Sequence, residues 1–204
     1  MIRSEVQQHA QTMDVSERFL AALKQEFPKF RVVEKRTDFL SQTIDIALKI
    51  ITLGKQRSYL DAYYTVLGYT LYVPPAWAQT SPIDRVITLR HERIHLRQRR
   101  RLGFPLMAFL YLVPFFPLGL AYGRARLEWE AYEETLAATA ELAGLEAARS
   151  PALRARIVGR FVGPDYGWMW PFPKQVGRWY DAAMVRLERN FGDTPAAPTP
   201  GDAA

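Results

Sequence analysis

Residues 102–122, LGFPLMAFLYLVPFFPLGLAY, run for 21 positions without a charge. No other feature limits the path of this chain as strongly. The length matches what a helix needs to cross a hydrocarbon core about 30 Å thick. Pro105, Pro114 and Pro117 interrupt the run, and each interior proline removes a backbone donor and disfavours a straight helix. Arg97, Arg99, Arg100 and Arg101 stand before it and Arg124 and Arg126 after it, so there is no positive-inside asymmetry to orient a crossing. The expectation is a helical hairpin that folds back near Pro114 to Pro117, buried or covered by a partner. The alternatives are an apolar surface dipping into a membrane interface and, last, a true span.

The segment just before this run is TLRHERIHLRQ, residues 88–98. His91 and His95 are four apart, so a helix stacks them on one face, one turn above the other. Glu92 projects about 100° round the helix from His91. Two neutral imidazoles that share a metal ion, with a carboxylate beside them to move a proton, form the H-E-x-x-H pattern of zinc hydrolases. Ser81 and Asp84 form a capping box with Pro82 at the first helical position, and Gly103 is the expected C-cap. A buried side is expected along Ile83, Val86, Ile87, Ile94 and Leu102.

A catalytic zinc site needs a third protein ligand and leaves its fourth position for water. The chain has no Cys, and its third and last His is His9, in a polar N-terminal segment. The ligand is therefore expected to be a carboxylate from the next strong helix pattern, residues 123–146, which holds Glu128, Glu130, Glu133 and Glu134. Glu128 and Glu130 flank the stripe Leu127, Ala131, Ala138, Leu142 on opposite sides. Glu130 is preferred because Glu134 lies one turn on, where it can accept a hydrogen bond from a ligating imidazole. Glu128 has Tyr132 at that offset and is the alternative. Convergence of either acid on the imidazoles also excludes a single membrane crossing between them, which would part the ligands by tens of Å.

His91-Glu92-Arg93-Ile94-His95, followed on a later helix by Glu130-Ala131-Tyr132-Glu133-Glu134, resembles the gluzincin metallopeptidases. In thermolysin-like members a Glu ligand is followed four positions on by an acidic residue. In small members of the ImmA/IrrE group the ligand Glu is followed directly by Ala. The resemblance implies a zincin-like fold, a zinc cofactor and a peptide or protein substrate hydrolysed with Glu92 as general base. It also implies an edge strand just before the motif helix that binds extended peptide by strand addition; Tyr69, Leu71 and Val73 occupy that place. An oxyanion donor besides the metal is wanted, and Tyr166 and Arg178 are the candidates.

The remaining elements follow from periodicity. Asp14 and Glu17 cap a helix over residues 14–27 with a stripe of Phe19, Leu20, Leu23 and Phe27. FRVVE, residues 30–34, reads as a strand and residues 38–53 as a helix ending at Gly54. AYYTVLGYTLYV, residues 62–73, reads as a hairpin turning at Leu67-Gly68. A short helix is expected over residues 153–161, and the aromatic residues Trp168, Trp170, Phe172, Trp179 and Tyr180 are expected to close the core. The fold expected is α+β and helix-rich, with a small, mainly antiparallel sheet beside the motif helix. One domain is expected over 1–190, carrying the apolar insertion at 102–122, and a disordered tail over 191–204.

Absence of Cys and of a secretory signal fits a cytoplasmic protein, membrane-associated if the apolar run dips into lipid. The net charge is +6, but the arginine run lacks the interleaved aromatics of single-strand binders, so nucleic acid is the weaker partner. The alternative to an enzyme is a catalytically silent scaffold of the same shape, acting as a membrane-surface or protein-binding module.

Overall fold

The computed structural model describes residues 14–34, 64–112, 121–163 and 169–192. The expected helix over 38–53, the turn at Pro114 to Pro117, Tyr166, Trp168 and all but the first two residues of the expected tail lie outside them. The chain divides into two compact units, Met1–Arg101 and Leu102–Ala204.

The first unit opens with α1, Val15–Glu26. The Asp14 carboxylate accepts hydrogen bonds from the backbone N–H groups of Ser16 and Glu17, at 2.7 and 2.9 Å. This satisfies two donors that a helix start leaves orphaned. Three short strands follow: β1, Arg31–Glu34, β2, Thr65–Leu67, and β3, Thr70–Val73. β2 and β3 form the expected hairpin, with Gly68 in the turn at φ +69°, a left-handed backbone that suits glycine.

The sheet order is β1-β3-β2, and β1 pairs with β3 in parallel from Arg31↔Thr70 to Glu34↔Val73. The expected mainly antiparallel sheet is thus corrected to a mixed one whose longer ladder is parallel. A tight turn can only make the antiparallel pair. The 35 residues between Glu34 and Thr70 supply the long connection that a parallel neighbour needs.

The helix α2, Pro82–Leu102, carries the H-E-x-x-H motif. Its capping box forms as expected: the Asp84 N–H donates to Ser81 Oγ at 3.1 Å, and the hydroxyl donates to Asp84 Oδ2 at 2.7 Å. The buried positions are Val86, Leu89, Glu92, His95, Leu96 and Gln98. Of the side expected to be buried, Val86 is buried, Ile87, Ile94 and Leu102 are partly buried, and Ile83 is 40% exposed. Half of the buried stripe is polar here, so apolar periodicity alone misplaces it.

Leu23, Phe27, Phe30, Leu71, Val73, Leu89 and Leu96 make the core of this unit. Each large apolar side chain so buried contributes about 1.5–3 kcal/mol. Polar contacts add orientation. Glu26, near the end of α1, accepts from Arg93 Nε at 2.6 Å and Arg97 Nε at 2.8 Å, and Arg100 lies 3.5 Å away. The hydrogen bond from Arg97, helped by Arg93, holds the Glu26 carboxyl below its usual range against the opposing effect of burial. Much of the arginine run is therefore engaged in holding α2 to α1, a modest contribution at a partly wet surface.

The second unit is helical throughout its described residues. It comprises α3, Phe104–Leu112, α4, Tyr122–Ala143, α5, Leu145–Arg149, α6, Pro151–Val162, and α7, Pro173–Gly192. The pattern expected over 123–146 ends early because Gly144 adopts φ +91° and separates α4 from α5. α6 begins with Pro151 behind the Ser150 cap, whose Oγ accepts from Leu153 N–H at 3.2 Å. Trp129, Phe161 and Trp179 stack at the centre, with ring centroids 5.7 to 6.2 Å apart. Tyr180 is buried, and its hydroxyl donates to the Ala148 carbonyl; burial pushes its pKa up. Trp179 and Tyr180 close this core as expected.

Candidate metal centre

The imidazole pair is built by α2 alone. His91 and His95 lie one turn apart, with ring centroids 5.0 Å apart and planes inclined at 75°. Their Nε2 atoms are 3.2 Å from each other. Two nitrogens bound at about 2.0–2.1 Å to one tetrahedral ion sit about 3.3 Å apart, so the spacing fits two ligands of a single metal.

The proton on His95 is placed by Gln98. His95 Nδ1 lies 3.0 Å from Gln98 Oε1, and both side chains are buried. An amide oxygen only accepts, so Nδ1 carries the hydrogen and the neutral ring keeps its Nε2 lone pair for a ligand. Gln98 was not anticipated. Its signal was its position, three residues after His95 on the same helix, where side chains meet.

The carboxylate in the group is Glu128. One ligand atom from each of His91, His95 and Glu128 lies within 4.8 Å of the other two, His95 and Glu128 being buried. This buried His-His-Glu group could hold a metal ion. Glu130, the expected third ligand, is not part of it, and neither is Glu134, its expected supporting acid.

The helix itself gives the reason. Positions two apart on a helix point about 200° away from each other, so at most one of Glu128 and Glu130 faces the imidazoles. Glu130 shares its side of α4 with Glu133, Glu134, Ala137 and Glu141, none of them buried. Glu128 is 4% exposed and lies on the side of Ala131, Thr135 and Ala138. Glu133 has a structural task, accepting from Trp129 Nε1 at 2.8 Å.

Glu92 is 7% exposed, so a protonatable carboxyl adjoins the pair in sequence and is shielded from bulk water. The expected peptide-binding edge does not survive. β3 is the central strand, paired with β1 on one side and β2 on the other, so the backbone of Leu71 and Val73 has no edge to offer. Those two side chains are core residues, and Tyr69 packs beneath the Arg99 guanidinium, 4.5 Å from its ring centroid. Among the described residues, the edges of this sheet are β1 and β2. Arg178 is exposed on α7.

A prediction arises directly from the Gln98 contact. Gln98→Leu keeps the volume and loses the acceptor, and is expected to weaken binding of a divalent metal at this group about 10- to 100-fold. Gln98→Glu, which retains an acceptor for Nδ1–H, is expected to keep most of it. Competition against a chromophoric chelator measures both; equal affinity for wild type and Gln98→Leu would remove the tautomer assignment. No family model matches this chain, and neither a curated protein nor a solved structure matches it.

Proposed function

We propose that this protein is a zinc-dependent metallopeptidase of gluzincin type on a zincin-like fold, with His91, His95 and Glu128 as the metal ligands and Glu92 as the general base. The observation that carries the reading is the grouping of those two imidazoles and that carboxylate within 4.8 Å. Two His and one carboxylate suit zinc in charge, softness and tetrahedral geometry, and they leave one position for water or substrate.

When bound, zinc supplies the Lewis acidity that acidifies water and polarises a carbonyl. The chain does the rest. His91 and His95 present Nε2 lone pairs, and Gln98 holds the second ring in the required tautomer. The Glu92 carboxylate takes the proton from the attacking water and passes it to the departing amide nitrogen. Shielding of Glu92 and His95 from solvent strengthens each of these electrostatic contacts.

The test is reconstitution. Purified protein is expected to hold about one equivalent of zinc and to cleave an unfolded protein such as casein. A chelator is expected to abolish the cleavage and added zinc to restore it. Protein that retains no divalent metal, or cleaves equally well after chelation, defeats the proposal. A second reading, a metal-holding scaffold without turnover that serves as a membrane-surface or protein-binding module, is favoured by the exposed apolar side chains of α3. It predicts stoichiometric metal and no cleavage of any peptide pool.

A further inference from the structure

α3, FPLMAFLYL, carries no charged residue. A helix apolar on all sides is ordinarily enclosed. One side of this one is: Leu110 lies so close to Gly123 of α4 that a Cβ there would stand 2.8 Å from Leu110 Cδ2. The other side is open, with Phe104 60%, Leu106 46% and Phe109 56% exposed.

The same unit exposes Tyr122 and Phe172, joined through Trp170 by ring contacts of 5.2 and 5.0 Å. Of the eight large apolar residues exposed among the described residues, five belong to this set. Exposed apolar side chains among the described residues are therefore concentrated in this unit, in α3, at the start of α4 and just before α7, and such concentration marks an interaction surface.

Charge identifies the occupant. Within this unit, residues 102–127 include Arg124 and Arg126 and no acidic residue, and between Asp165 and Asp181 the chain has Lys174 and Arg178 and no acid. Lys174, two residues after Phe172, is exposed. Apolar side chains bordered by cations match the interface of an anionic bilayer, where Trp and Tyr also prefer to sit. No helix among the described residues is long and apolar enough to cross a membrane. At 1.5 Å per residue α3 spans about 14 Å, half of a hydrocarbon core.

We infer that the exposed side of α3, with Tyr122 and Phe172, inserts into the headgroup–acyl boundary of an anionic lipid surface, Lys174 meeting the headgroups. This inference stands independently of the metal centre. The experiment is flotation of the full chain with phosphatidylcholine vesicles and with vesicles that also contain phosphatidylserine. Binding is expected only with phosphatidylserine and is expected to weaken as salt rises. Phe109→Ser is expected to weaken it about tenfold or more, with far-UV circular dichroism and melting unchanged because the side chain is exposed. Lys174→Glu is expected to reduce the phosphatidylserine-dependent binding. The inference is overturned if neither vesicle floats the protein, if both float it equally, or if Phe109→Ser floats like wild type. It is also overturned if the protein does not float but self-associates in a manner that Phe109→Ser abolishes, which would assign the surface to a second copy of the chain.

Discussion

Glu92→Gln is expected to retain zinc and to lower peptide hydrolysis about 100- to 10,000-fold. The two substituents are nearly the same size, so the side chain can keep its place on α2, where it is 7% exposed. What changes is basicity. An amide cannot take a proton from water at neutral pH, nor return one to a leaving amine, whereas the proposed metal ligands are untouched. The measurement pairs metal content by mass spectrometry with initial rates on a fluorogenic peptide. The control is melting temperature, because a buried carboxylate exchanged for an amide can alter stability. A variant that holds zinc and cleaves at the wild-type rate would remove Glu92 from the chemistry. A variant that loses both metal and activity would place Glu92 among the groups that build the site.

The second large effect separates two neighbouring acids. Glu128→Gln is expected to weaken zinc binding by more than the roughly 10- to 100-fold typical of an outer hydrogen-bond partner, because it removes the proposed anionic ligand. Glu130→Gln is expected to leave affinity within about twofold, since Glu130 lies outside the proposed ligand group. Titration with cobalt, followed by its visible absorption, reports both affinity and ligand geometry. The reverse ranking, with Glu130→Gln the damaging change, would overturn the ligand set proposed for this chain and return the role to Glu130.

Those two residues show what could be read in advance. The motif helix was legible because its requirements are local. His91 and His95 meet through a four-residue spacing, Ser81 and Asp84 cap the helix across three residues, and Gly103 follows its end at φ +75°. The choice of Glu130 drew on a spacing to Glu134 that any exposed acidic face of a helix can mimic. Burial would have chosen otherwise. Glu128 is the one acid on a side of α4 otherwise lined by Ala131, Thr135 and Ala138, and an acid kept among small buried residues calls for a reason. The supporting acceptor expected for a ligating imidazole was Glu134 on another helix, whereas His95 meets Gln98 one turn away on its own.

The sheet divides along the same line. The hairpin of β2 and β3 follows from the turn at Gly68, a matter of adjacent residues. That β1 joins β3 in parallel, making β3 central and closing it to a peptide, depends on how residues far apart in the chain return to one another. Local sequence therefore determined the helices, their caps, the hairpin and the paired imidazoles, since short-range sterics and hydrogen bonds decide each of them within a turn or two. Tertiary structure decided which carboxylate joins the imidazoles, which strand is an edge and which apolar side of α3 stays open. Each of those depends on burial against distant elements, and side-chain periodicity marks a buried face without saying what covers it.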